Sequence, residues 1–351
     1  MNKTMVRVLG MMALLLMAFG IAAAQQPPTK KLYINLVTKT QQMPRFPGMP
    51  AGMNIPGMGG GTSRLITGRA VYAVKPVEPI YVTVPADLAL KNNRLILSVP
   101  KLQVGPGGDG EENAPGEEGG NFEMVNKLYW HPDVAKGPIT DTMKIKQGKV
   151  QGMGGMQMPN LDPDLLAELG KEAAGTESKL PASVKGLGNY VCNTGGTATL
   201  DGFLPPLNVT SEPALEKADP KNGFTLKWEQ VAGARGYLIS VMGMKSEGDN
   251  KMTITSWYST LSEPPMRVRG MYMPATTIAD DLEKGILLPG ATTSCKVPAG
   301  MFTEEYDMMM IKAEAIGNDF YSAAGPTVYG TIRSEWSAMK MNMGDADGEE
   351  E

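Results

Sequence analysis

The residues of this chain whose type and spacing most suggest chemistry are its methionines, 27 among 351 residues. Met49, Met53 and Met58 fall in a Pro- and Gly-rich tract over residues 41–61. Met153, Met156 and Met158 fall in a Met- and Gly-rich tract over 152–158, and Met339, Met341 and Met343 lie near the acidic end. A neutral thioether is a soft donor that selects Cu(I) over harder cations. Met153, Met156 and Met158 are therefore the candidate metal ligands. The competing reading is compositional: methionine recurs in the first apolar run and in the strand segments, where it serves as adaptable apolar filler. No His or Cys reinforces the tracts.

Catalytic chemistry finds less support. His131 is the only histidine, so a zinc-protease motif, a His-rich metal centre and a two-His relay are excluded. A Ser-His-Asp or Cys-His relay would have to use His131, which precedes Pro132 at an expected strand end, and no Ser sits in a nucleophile-elbow context. Carboxylates are plentiful, but no pair is singled out by the apolar surroundings that raise a catalytic acid's pKa. Gly105, Gly107 and Gly110 formally match the dinucleotide fingerprint. Glu111, Glu112 and Pro115 then stand where a helix should open, and the acids would repel a pyrophosphate. The acidic loop over 105–120, and Asp345 with Asp347, offer oxygens for Ca²⁺ without the spacing of a complete calcium loop. The expectation is a non-enzymatic protein with no catalytic residue and no cofactor; a hydrolase with an unrecognised carboxylate site is the weakest alternative.

Trp130, Trp228, Trp257 and Trp336 are candidates for a sugar-stacking platform, set against the commoner fate of a Trp in an alternating strand, which is burial. Cys192 and Cys295 are the only cysteines. A disulfide between them and a pair of unbridged buried thiols are both open, because compartment favours the bridge and sequence carries no geometry.

Compartment is read from the first residues. Lys3 and Arg7 precede an apolar run over 8–21, and Ala22, Ala23 and Ala24 follow it, the three-part pattern of a secretory signal peptide over residues 1–24. The run is shorter than the roughly 18–20 residues that span a bilayer, so cleavage before Gln25 is expected over retention as an anchor. The expected protein is periplasmic or secreted, with no membrane span after cleavage. Taking Lys3 and Arg7 from 33 basic residues leaves 31 against 37 acidic ones, a net charge of −6. With the excess acid in the 105–120 loop and the tail, no basic stripe is available to displace the counterions of nucleic acid.

The elements that must position these residues are mainly strands. Residues 31–40, 64–74, 80–84, 94–104, 127–131 and 142–149 carry β-branched, aromatic and alternating patterns. They suggest an N-terminal antiparallel β domain over 25–150. A Met- and Gly-rich connector over 151–212 holds a short helix starting at Asp162, with Pro163 at its first turn, and a strand or two around Cys192. From 213 to 338 the alternation sharpens: residues 224–228, a small-residue turn over 232–236, then strands at 237–242, 252–258, 306–315 and 328–336. Thr277 and Asp280 are spaced as a capping box for a second short helix over 277–284. In the 306–315 strand, Met309, Ile311, Ala313 and Ala315 form the uncharged face and the expected core face. The tail over 339–351 is expected to be disordered.

Trp228, Val231, Gly233, Ala234 and Tyr237, with the later Tyr306, Met308, Met310 and Ala313, resemble the strand B, turn, strand C and strand F signature of fibronectin type III domains. The resemblance covers about a third of the chain, from 213 to 336, and implies a β-sandwich. Two departures stand out: the 277–284 helix lengthens the segment before the late strands, and Val297 to Tyr306 is too long for the usual tyrosine corner. The whole chain, with its Met and Gly tracts and the segments 127–132 and 292–298, is similar to a family of exported bacterial Met/Gly-rich proteins. That likeness implies an architecture and no activity. The function expected is therefore an exported binding or structural protein of the bacterial envelope that contacts a protein or glycan through loops or sheet edges. A periplasmic copper-binding protein using the Met tracts is the alternative.

Overall fold

The computed structural model describes residues 29–42, 61–72, 79–97, 122–146, 149–151, 173–211, 220–248, 250–265, 278–323 and 326–341. These residues form a mainly β fold of three sheets. The strands are β1 (Thr29–Gln42), β2 (Gly61–Tyr72), β3 (Ile80–Thr83), β4 (Arg94–Leu97), β5 (Phe122–Trp130), β6 (Lys136–Lys146), β7 (Lys149–Gln151), β8 (Ala173–Leu180), β9 (Leu187–Cys192) and β10 (Thr197–Asp201). There follow β11 (Phe224–Lys227), β12 (Gly236–Ser246), β13 (Lys251–Tyr258), β14 (Leu288–Pro289), β15 (Ser294–Val297), β16 (Met308–Ser322) and β17 (Thr327–Met341). One α-helix lies among the described residues, α1 (Ile278–Glu283).

The large sheet runs in the order β7-β6-β5-β13-β12-β16-β17-β1-β2-β8, with β14 paired to the start of β12. Most of its neighbours are antiparallel. Two pairs are parallel: β1 lies beside β17, with Asn35 opposite Thr331, and β13 lies beside β5, with Ser256 opposite Leu128. Strands expected in the N-terminal domain are thus interior neighbours of strands expected in the C-terminal sandwich. One apolar core joins them, from Leu32, Ile34 and Ile66 to Tyr237, Trp257, Ala313, Ile332 and Trp336. Neither junction is signalled locally, because a parallel pair needs a distant crossover and leaves no hairpin signal in the chain.

Two small sheets cover the inner face of the large one. The first, β10-β9-β3-β4, contributes Val82, Leu95, Tyr190 and Leu200 to the core; the second, β11-β15, contributes Leu226, Cys295 and Val297. The connector therefore supplies three strands, β8, β9 and β10, where one or two were expected. The turn between β11 and β12 forms as its small residues suggest: Gly233 has φ +85°, which a side chain would resist. Trp228 is buried and tilted against Tyr237, ring centroids 5.2 Å apart.

On the outer face of the large sheet, α1 and the residues after it seat Ile278, Ile286 and Leu287 on Leu128, Leu238, Tyr258 and Ile316. Thr277 lies outside the described residues; Asp319 accepts from the Ile278 N–H at 3.3 Å, and Gly285 follows the helix at φ +67°. Burial along β16 confirms Met309, Ile311, Ala313 and Ala315 as core. The opposite row is covered as well, for Glu314 is only 3% exposed. Near the C-terminal end, β17 continues through Met339, Lys340 and Met341, which pair with Met310, Met309 and Met308. Residues 339–341, expected in a disordered tail, are thus strand, and the rest of that tail lies outside the described residues. The 162 helix lies outside the described residues.

Candidate functional site

The first sheet face with exposed apolar side chains is the outer face of β10-β9-β3-β4. Alternation along each strand sends Val82, Leu95, Leu97, Tyr190, Ala198 and Leu200 inward and leaves the intervening residues to solvent. Register places Tyr81 opposite Ile96, Thr83 opposite both Arg94 and Val191, and Val191 opposite Thr197. Ile96 is 57%, Leu187 63% and Val191 42% exposed. The Arg94 guanidinium sits 4.2 Å from the Tyr81 ring centroid, a cation–π contact that caps one side of that ring. Asn193 pins the segment, accepting from the Tyr81 N–H at 2.8 Å and donating to the Pro79 carbonyl at 3.2 Å. Asp87 anchors the adjoining turn by accepting from the Lys185 and Gly186 N–H groups. The result is a sheet face with exposed aliphatic side chains, tied at its margins by these hydrogen bonds.

The second face is lined with sulfur. In three rows across the large sheet, outward-facing positions repeat methionine: Met339, Met310 and Met242 are direct cross-strand partners on β17, β16 and β12. Met308 and Met244 pair in the next row, and Met252, Met124 and Met143 are direct partners on β13, β5 and β6. All eight are half-buried.

Beside the sulfur rows lies a charged cluster. Glu314 and Glu335 are opposite one another on β16 and β17. Lys312 is paired with Glu314 and stands 3.4 Å from Glu335, and Arg333 lies 3.9 Å from Glu314 and 3.6 Å from Glu335. Burial pushes the Glu335 carboxyl up, but Lys312, Arg333 and Lys39 together outweigh it, and its pKa is lowered overall. A hydrolytic acid needs the opposite shift. A further bridge, Glu304 between Lys127 (3.1 Å) and Lys245 (2.9 Å), lies near the other end of these strands.

The residues singled out in the sequence fare differently. Met153, Met156 and Met158, the fingerprint glycines and the acidic loop lie outside the described residues. His131 adopts φ +83° at the end of β5. Its carbonyl accepts from Trp257 Nε1 at 3.2 Å, its N–H donates to the Tyr258 carbonyl, and its Nδ1 accepts from the Asp133 N–H. These contacts hold a corner. Trp228, Trp257 and Trp336 are buried, so three of the four indoles are removed from any stacking platform, and Trp130 is half-buried. Cys192 and Cys295 are free, buried thiols on different small sheets, the unbridged alternative. Burial pushes the Cys295 thiol up to about 12.

The sulfur rows were missed because attention to short spacing favoured the Gly-rich tracts. The available signal was Met at every second residue, Met242 with Met244 and Met308 with Met310, which in a strand means one face. Among the described residues no helix is long and apolar enough to cross a membrane, and no His, Cys, Asp and Glu grouping could hold a metal ion. Comparison with protein families, curated proteins and solved structures finds no match to this chain.

Proposed function

We propose that this protein is an exported, non-enzymatic binding module of the bacterial envelope, and that it docks a protein partner on the outer face of the β10-β9-β3-β4 sheet. The observation that carries the reading is the exposure of Ile96 and Val191 near the Arg94–Tyr81 stack, with Leu187 four residues along β9 on the same face. Aliphatic side chains presented together with Tyr and Arg have the composition of an interface centre. A protein suits this face better than a glycan, because sugars stack on open rings and Tyr81 is already capped while three indoles are buried. The free edge offers less: among the described residues β7 pairs only the last part of β6, and the remaining edge is blunted by Lys136 and Pro138.

A fibronectin type III-like frame fits this reading. β11 pairs β15 in one layer, while β13, β12, β16 and β17 are consecutive in the other, an arrangement that supports a two-layer sandwich. Strands from the first half of the chain then extend it at both sides.

The test is site-specific photocrosslinking in the native host from position 96 or 191. One defined adduct, absent when Val191 or Ile96 in turn becomes Asp, supports the reading. Adducts that persist unchanged in those variants, or a purified chain that still begins at Met1 in the cytoplasmic fraction, refute it.

A further inference from the structure

We infer that Met242, Met310 and Met339 form a thioether site for a soft monovalent cation, Cu(I), on the outer face of the large sheet. The site is separate from the docking face and stands or falls independently of it.

Three features carry the inference. The first is register. Met242 is the direct partner of Met310, and Met310 of Met339, on three adjacent strands. Direct partners in an antiparallel sheet hold their Cβ atoms about 5 Å apart on the same face. Each thioether hangs on an unbranched chain with three rotatable bonds, so three sulfurs launched from one row can turn to a common point. The next row adds Met244 and Met308, making five thioethers in one patch.

The second feature is burial. All five are half-buried, open enough for an ion to enter yet partly withdrawn from bulk water. The sheet is already ordered, so its thioethers start closer to the bound arrangement.

The third feature is that the row carries no carboxylate: beyond Met242 it continues to the Ser256 hydroxyl and then Leu128. Neutral sulfur with few oxygens selects Cu(I) against Mg²⁺, Ca²⁺ and Zn²⁺. On the same face Lys312 stands two residues from Met310, its charge engaged by Glu314 and Glu335. Arg333 approaches both acids as well, and Lys39 is the direct partner of Glu335. The other methionine row, Met124, Met143 and Met252, lies beside Asn126 and Asp141 on the flanking hairpin, where oxygen donors dilute the selectivity.

The test is anaerobic titration of the purified full-length protein with Cu(I) against a chromophoric Cu(I) chelator, read with X-ray absorption at the copper edge. One equivalent held in a sulfur-only first shell is the expected result. Leucine nearly conserves methionine's volume, so M242L/M310L/M339L should keep the fold while weakening Cu(I) at least about tenfold. M310L alone tests the same point if the triple variant does not fold. M124L/M143L/M252L and M153L/M156L/M158L should retain the wild-type affinity. No Cu(I) uptake by the wild type, unchanged affinity in both M242L/M310L/M339L and M310L, or loss on changing Met153, Met156 and Met158 would each overturn the assignment.

Discussion

Glu314 and Glu335 stand directly opposite one another across β16 and β17, two carboxylates in one register pair near the middle of the large sheet. Like charges so placed repel. Lys312 and Arg333 approach both acids and turn the repulsion into a four-membered network. Remove one cation and the pair becomes a liability.

Lys312→Met should therefore destabilise the fold by about 3 kcal/mol at neutral pH, the scale for breaking one side of a buried ion pair. The dependence on pH follows from the lowered Glu335. A carboxyl whose folded value lies below its unfolded one stabilises above the unfolded value, roughly pH 4.3, and loses that contribution as pH falls through the folded one. Wild-type stability should decline on acidification through this range, and the deficit of Lys312→Met should shrink with it. Urea denaturation from neutral pH down through the carboxylate range, roughly pH 4.3, measures both; a deficit independent of pH would contradict this account.

Gly243 is a second point of control. A Cβ placed there would meet the Tyr306 ring at 2.6 Å, and that ring is fixed because Tyr306 Oη donates to Thr255 Oγ1 at 3.1 Å. Gly243→Ala should cost about 1–3 kcal/mol by overpacking. Adding Tyr306→Leu should recover part of that loss, a non-additivity that a double-mutant cycle would reveal.

The β11–β12 turn is tied by a buried hydrogen bond from the Val231 N–H to Tyr237 Oη, 2.9 Å. Tyr237→Phe leaves that donor unpaired beside Trp228. A loss of about 1–3 kcal/mol is expected, measured by denaturant melts, with the near-UV signal of the indole changing as well.

Ile96→Asp and Val191→Asp alter exposed positions. Their stability should stay within about 0.5 kcal/mol of the wild type, while partner capture from position 96 or 191 disappears. Thermal melts run beside the crosslinking separate lost docking from lost folding.

Cys295, its thiol pushed up to about 12 by burial, should resist iodoacetamide in the native protein at pH 8, where an exposed thiol of pKa near 8.5 reacts. Both cysteines should label once guanidinium unfolds the chain. Mass spectrometry of native and unfolded samples reads this directly; rapid native labelling of Cys295 would contradict its burial.

How far the sequence alone reaches can be judged element by element. The β16 core face was legible because Met309, Ile311, Ala313 and Ala315 alternate with charged neighbours, and the β11–β12 turn because Gly233 and its small neighbours admit little else. Neither candidate site was legible in the same way. Alternation in Leu95-Ile96-Leu97 marks a strand without saying which apolar residue faces water; that depends on which partner sheet arrives. The Met242, Met310 and Met339 row joins three strands through pairings the chain encodes only collectively. The burial of Glu314 is not legible in the chain either, because its partner Arg333 is reached through the register of the next strand.

The neighbour relation of β1 and β17 also governs how the molecule can be made. Asn35 and Thr331, 296 positions apart, must meet before β1 has both its flanking strands. Ribosomal synthesis delivers them in the wrong order for early closure: until residues near 330 emerge, the first strand keeps one bare side. Folding is thus forced late and toward high contact order, which slows it. A chain that lacks β17 therefore has nothing to close this side of β1, and a truncation that removes β17 leaves a sticky, half-built sheet.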